Sequence, residues 1–311
     1  MQFSVIIPAK NEQANIGRCL DSILQVDWDP REFEIIVVDN GSSDSTAQIA
    51  SQMGAVVFVQ PGLTISALRN FGAGKASGEI LAFMDADCTV DPSWLRQAAK
   101  YLFKSDIVCF GSPPQVPPCA TWVQRAWFQV RRKKVAQGET PWLESMNMFV
   151  RREAFSRCRG FDEKLVTCED YDLSLRLQAL GKVFTDTDIV AVHFGEASNL
   201  PHFFRKELWR GIGNLKGVLR HGVKPSELPS VCLPVLHCLV LLALPVALLV
   251  NGFSETRALL YAGALFLFWQ AFLLLLSFLK YYRGALRHVA QIFVLLNVYY
   301  LARGVAILRQ S

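Results

Sequence analysis

Ile80-Leu81-Ala82-Phe83-Met84-Asp85-Ala86-Asp87 is a run of apolar residues that stops at two carboxylates. An uninterrupted apolar run of this length reads as a strand buried on both faces, the pattern of a parallel sheet covered by helices. Working outward, Phe3 to Pro8, Phe33 to Val38 and Ala55 to Val59 are further runs of the same kind. Helical periodicity separates them. Asn11 is expected to cap a helix carrying Ile16, Leu20, Ile23 and Leu24 on one face, and Asp44 to cap a second that reaches Met53 before the stop at Gly54. The order is βαβα, which predicts an α/β fold built on an open, twisted, mostly parallel sheet flanked by helices.

Ligands bind such sheets beyond the carboxyl ends of the strands. Polar clusters follow three of these strands: Pro8-Ala9-Lys10-Asn11-Glu12, Asp39-Asn40-Gly41-Ser42-Ser43-Asp44, and Asp85-Ala86-Asp87. Their expected meeting point is one sheet edge. Carboxylates at i and i+2 on a strand end both reach a cation once the chain turns. Mg²⁺ or Mn²⁺ held this way keeps positions open for phosphate oxygens. A D-x-D triplet alone is a weak signal; directly after a buried strand it is a much stronger one. A dinucleotide-dependent oxidoreductase is a poor fit, because no G-x-G-x-x-G follows the first strand.

Val5-Ile6-Ile7-Pro8-Ala9-Lys10-Asn11-Glu12, Val37-Val38-Asp39-Asn40-Gly41-Ser42-Ser43-Asp44, and Arg69-Asn70 ahead of Ala76-Ser77-Gly78-Glu79 with Asp85-Ala86-Asp87 resemble the family 2 glycosyltransferases of GT-A (Rossmann-like) fold. Cys168-Glu169-Asp170-Tyr171-Asp172 is similar to that family's downstream acidic motif, and the resemblance extends from Met1 to about Glu196. It implies a nucleotide-sugar donor, UDP- or GDP-linked, and inversion at the anomeric carbon. Pro8, Ala9, Lys10 and Glu12 would line the nucleoside pocket, Asp39 would bind base or ribose, and Arg69 would lie near the base or diphosphate. Asp87 would be the firmest metal ligand, with Asp85 at the ribose or a metal-bound water and His193 as a further ligand. Asp170 would be the general base, with Glu169 as the competing candidate. Met146 and Asn147 resemble the acceptor-lining segment. Arg176 would pair with the acidic motif, with a phosphate, or in a structural salt bridge. The polysaccharide synthases that share this fold usually carry Gln-x-x-Arg-Trp; here Glu207-Leu208-Trp209-Arg210 reverses the last two residues and lacks the glutamine. That favours transfer of a single sugar. A processive synthase subunit and a catalytically inactive membrane scaffold are the alternatives.

The remainder of the chain is read from composition. Of the 311 residues 51% are hydrophobic, and the excess is concentrated between Leu228 and Leu308. Pro229 to Val250 and Ala258 to Leu279 carry no charge, and each matches the roughly 20 residues that a bilayer core requires. Ala285 to Leu308 is a third candidate interrupted by Arg287, His288 and Arg303, the two arginines being expected to snorkel towards opposite faces. Lys280, Arg283 and Arg287 between the last two segments place that connection in the cytoplasm, and the Glu255–Arg257 connection outside. Three crossings then leave Ser311 external. Ahead of the apolar block, Arg205, Lys206, Arg210, Lys216, Arg220 and Lys224 face only Glu207, an excess that equals the whole chain's +5. This suits an anionic lipid surface rather than nucleic acid. Trp122, Arg125, Trp127, Phe128 and Arg131-Arg132-Lys133-Lys134 interleave aromatic and basic residues, as an interfacial helix or a grip on a lipid-linked phosphate would. Eight cysteines without C-x-x-C spacing read as reduced thiols, and Met1-Gln2-Phe3-Ser4 leads into a strand with no secretory signal. The expected organisation is a cytoplasmic catalytic domain over residues 1–198, a basic interfacial segment over 199–228 and a membrane domain over 229–308, in a bacterial-type inner membrane. The acceptor would be a polyprenyl phosphate, a lipid-linked saccharide or a glycolipid of the cell envelope.

Overall fold

Phe3–Ala9 (β1) is buried at every position, and its side chains divide by parity. Phe3, Val5 and Ile7 enter one core with Ile80, Ala82 and Met84, whereas Ile6 enters another with Leu81 and Phe83. A strand with apolar residues on both faces needs a helical layer on each side, and the sheet has both. On one face lie Ile16–Leu24 (α1) and Trp94–Ala99 (α4). On the other, Arg152–Arg157 (α6) and Glu169–Gln178 (α7) supply Phe155, Leu173 and Leu177, and the loop between them adds Phe161. Each such side chain, fully buried, contributes about 1.5–3 kcal/mol.

The computed structural model describes residues 1–131, 137–212, 228–251, 256–282 and 284–308. The chain separates into two units, Met1–Pro117 with Lys133–Gly195, and Pro118–Arg132 with Glu196–Ser311. In the first unit, Phe33–Asp39 (β2), Val56–Val59 (β3) and Ile80–Met84 (β4) join β1 in parallel, in the order β3-β2-β1-β4. Asn147–Arg151 (β8) then lies antiparallel between β4 and Ile107–Gly111 (β6), followed by Lys182–Asp186 (β9) and Gln137–Glu139 (β7). The sheet is therefore mixed. A small second sheet pairs Cys88–Val90 (β5) with Ala191–His193 (β10), and its register sets His193 opposite Cys88.

Local expectations are corrected at three points. The cap position of α1 is Asn15, not Asn11, which instead takes a left-handed φ of 55°. Leu24 is 50% exposed, and Cys19 completes the buried 16-19-20-23 face; the i, i+3, i+4, i+7 spacing closes the stripe without it. Thr46–Gln52 (α2) is capped at Ser45, although Asp44 Oδ1 still accepts the Thr46 amide at 3.0 Å.

The second unit contains Trp122–Arg131 (α5), Leu200–Gly211 (α8), Leu228–Asn251 (α9), Thr256–Tyr281 (α10) and Leu286–Leu308 (α11). Among the described residues, the last three are the helices long and apolar enough to cross a membrane. The Arg303 guanidinium meets Glu207 Oε2 at 2.9 Å, and Glu207 is fully buried. Arg210 pairs with Glu196 and Glu207, and Lys206 with Glu196, so part of the basic stretch is neutralised within the protein. Arg132, Lys133, Lys134, Lys216, Arg220, Lys224, Glu255, Arg283 and Ser311 lie outside the described residues.

Candidate active site

The ends of β1 and β2 are stitched together by side-chain hydrogen bonds. The Asn11 amide donates to Ser42 Oγ at 2.8 Å, the Ser43 amide to Asn11 Oδ1 at 2.9 Å, and the Glu12 amide to Thr46 Oγ1 at 2.7 Å. Asp39, 1% exposed, accepts the Ser42 amide at 2.8 Å and also the Ser42 hydroxyl. Pro8 and Ala9 are buried, Lys10 is exposed, and burial pushes the Glu12 carboxyl up, with Asp87, Asp85 and Asp44 adding to the rise. The first two polar clusters thus meet at one edge, and β4 beside β1 brings Asp85 and Asp87 to the same edge.

Arg69, on Ile65–Lys75 (α3), links this edge to the downstream acidic motif. It is 1% exposed, with Nη2 donating to Asp85 Oδ1 at 2.8 Å and Nη1 to Glu169 Oε1 at 2.9 Å. A buried guanidinium is tolerable because two carboxylates compensate it. Both of its ends are committed, so the guanidinium tethers acidic groups to one another. Glu169 and Asp170 begin α7 after Cys168, whose φ of 67° lets the chain enter the helix sharply. Asp170 is partly buried; loss of solvation, with Glu169 and then Glu144 nearby, pushes its carboxyl up to about 7. The Tyr171 amide, donating to Asp170 Oδ1 at 2.8 Å, opposes that rise.

His193 Nε2 lies 3.2 Å from Asp87 Oδ2, and these groups with Cys88 offer ligand atoms within 4.8 Å of one another. Gly195 closes over them. A Cβ at that position would collide with Asp87 Oδ2 and crowd His193 Nε2, so the backbone leaves a cradle at the carboxylate that any other residue would fill. One carboxylate oxygen with one imidazole nitrogen suits Mn²⁺. Asp85 is held by Arg69 and does not belong to this cluster of ligand atoms.

The remaining expected residues sit elsewhere in the first unit. Asn147 is fully buried, with its side chain accepting from Trp94 Nε1 at 2.9 Å and donating to Ser112 Oγ at 3.0 Å and Ile189 O at 2.8 Å. That is a structural hub, and Met146 packs partly buried against the first core. Arg176 pairs with Asp172, the last residue of the quoted acidic motif: Nε donates to Asp172 Oδ2 at 2.8 Å and Nη1 to Gly160 O at 2.8 Å.

The model of the family described as glycosyl transferase family 2 matches residues 4–159, half of the chain. The chain belongs to glycosyl transferase family 2. It is therefore a glycosyltransferase. Among curated relatives, glycosyltransferase AglE of Haloferax volcanii is 29% identical over 62% of this chain and 68% of its own length. Validoxylamine A glucosyltransferase of Streptomyces hygroscopicus is 28% identical over 58% of this chain, and beta-monoglucosyldiacylglycerol synthase of Trichormus variabilis 26% over 56%. The chain spans 48% and 40% of those two proteins. Among solved structures, mannosyltransferase PcManGT from Pyrobaculum calidifontis, in complex with GDP-Man and Mn²⁺, superimposes with a TM-score of 0.62 at 18% identity, covering 99% of this chain and 86% of that one. That likeness carries the GT-A fold.

Three contributors escaped the sequence reading. Glu144 is buried and adds to the electrostatics of Asp170, Gly195 shapes the Asp87 cradle, and Cys88 completes the ligand cluster. His193-Phe194-Gly195 did carry a signal, a glycine two residues after a strand-end histidine. Glu144 carried none, because its neighbours are distant in sequence.

Proposed function

We propose that this glycosyltransferase moves one sugar, with inversion, from a UDP- or GDP-sugar to an acceptor held at a membrane. The single observation supporting this reading is the Asp85–Arg69–Glu169 bridge, which joins the end of β4 to the helix turn carrying Asp170. The β1 and β2 loops and Asp39 bind the nucleoside. Asp87 and His193 hold Mg²⁺ or Mn²⁺, which when bound neutralises charge on the diphosphate. Asp170 takes the proton of the acceptor hydroxyl while that oxygen attacks the anomeric carbon. The bond from that carbon to the diphosphate oxygen breaks, and the nucleoside diphosphate leaves with the electron pair. A base near neutrality is matched to this task, since it is ionised in use yet still basic enough to accept a proton.

The membrane acceptor is supported by the apolar C-terminal helices and by a relative named as a glycolipid synthase. Exposed Lys280 and Arg287 support a cytoplasmic placement of the residues between α10 and α11, and with it a cytoplasmic catalytic domain at an inner membrane. The test is a panel of nucleotide sugars incubated with the full-length protein, extracted membrane lipids and Mn²⁺. One added sugar on a lipid product is expected with one donor. A long polymer would indicate a processive synthase, and neither transfer nor donor hydrolysis with any donor would remove the reading.

A further inference from the structure

Composition makes α11 a candidate span, but its surroundings do not. No residue from Leu295 to Ile307 is exposed, so about 20 Å of this helix, at about 1.5 Å per residue, is covered by protein, on one side by Pro234, His237 and Cys238 in the first half of α9. Along another side runs α8, in parallel register. Phe203 and Tyr299 both pack on Trp127, with ring centroids at 5.0 and 5.4 Å. Farther along, Arg303 donates to Glu207 Oε2 at 2.9 Å and to Arg210 O at 3.0 Å, and Gly211 is so near Ala306 that a Cβ would not fit. Positions 203, 207 and 211 form one face of α8. The rest of α8 carries His202, Arg205 and Trp209, all exposed.

Putting Leu295–Ile307 into hydrocarbon would carry Arg205 and His202 into lipid with it, which is strongly unfavourable. The part of α11 left over, residues 286–294, is about 14 Å long, under half of a core of about 30 Å, and it begins with exposed Arg287 and His288. The preceding pair differs. Leu242, Val246, Leu249, Leu265, Leu267 and Phe268 of α9 and α10 are apolar and exposed. Trp269 donates to His237 Nδ1 at 2.8 Å, and the two residues stand at similar distances from the α9–α10 connection. The two helices are therefore an antiparallel hairpin, which returns to the side where it began.

We infer that α11 does not cross the bilayer. It is the buried strut of a surface platform with α5, α8 and the first half of α9, the loop-side half of the α9–α10 hairpin is the surface that meets lipid hydrocarbon, and the end of α11 lies on the same side as α8. Among the described residues, no helix long and apolar enough to cross a membrane lies between Met1 and α8. On this inference the chain enters the bilayer only through the α9–α10 hairpin, where composition alone suggests three crossings.

The test uses the full-length chain with one epitope tag before Met1 and a different one after Ser311, in sealed membrane vesicles of a single orientation. Added protease should remove both tags together from one side. If one tag survives until detergent is added, α11 crosses and the inference fails. Arg303→Leu supplies an independent reading. Loss of a partner from buried Glu207 should lower the melting temperature in detergent, and Glu207→Leu in the same chain should restore part of it. A lipid-exposed span would be unchanged or stabilised by Arg303→Leu, and that result would also overturn the inference.

Discussion

Replacing Asp170 with asparagine separates rate from stability in a way few other roles would. Desolvation, with Glu169 and Glu144 nearby, raises the Asp170 carboxyl from 3.8 to about 7. The folded protein thus binds this proton more tightly than the unfolded chain does. Stability from this group is complete below pH 3.8 and is lost as pH rises to about 7. At about 1.36 kcal/mol for each pH unit, the cost above pH 7 is at most about 4 kcal/mol. Asp170→Asn never ionises. It should melt higher than the native chain at about pH 8 and level with it at about pH 4, while turnover falls by roughly 10² to 10⁴-fold with nucleotide affinity little changed. The native chain should lose kcat/KM as pH falls through about 7, as the base becomes protonated. Melting curves at both pH values and initial rates across the range measure all three effects. An Asp170→Asn variant that keeps near-native transfer, or that melts lower at every pH, would refute the assignment. Glu169→Gln is the matched control: it removes a partner of buried Arg69, so it should destabilise at every pH above the carboxylate range. If it abolishes transfer with the fold intact while Asp170→Asn stays active, the base is Glu169.

Two further substitutions test the surrounding geometry. Arg69→Met leaves Asp85 and Glu169 facing each other without their shared cation, and breaking such a buried network should cost about 3–5 kcal/mol by chemical denaturation. An unchanged midpoint would mean that the bridge does not hold the two motifs. Gly195→Ala drives a methyl group into Asp87 Oδ2. Mn²⁺-dependent nucleotide affinity should drop by roughly 10 to 100-fold while metal-free binding is little altered, and equal losses with and without metal would point to a general distortion of the loop.

Much of this arrangement was legible in local patterning. β1, β2 and β4 are continuous apolar runs, and the polar residues that end them fall at one sheet edge because parallel connectivity leaves them nowhere else to go. What remained hidden depends on pairing between distant residues. Nothing near Asn147 announces that β8 inserts antiparallel between β4 and β6. Nor does anything near Val192 show that β10 will meet β5 and set His193 against Asp87 and Cys88. The family resemblance implies that Arg69 lies near the base or diphosphate, and only the fold reveals that residues 16 and 100 positions away pair with its guanidinium. The same limit applies to α11, whose composition suits lipid although its last turns are lined by protein.

Asp87 and His193 are expected to hold a metal that carries the nucleotide. Calorimetric titration of UDP and of GDP into the full-length protein, in Mn²⁺ and then in chelator, measures this without requiring the acceptor. One of the two nucleotides should bind about tenfold or more tightly with Mn²⁺, and Asp87→Asn should abolish the difference while leaving the weaker, metal-free binding in place. Equal affinity in Mn²⁺ and chelator for both nucleotides, or a metal effect that survives Asp87→Asn, would contradict it.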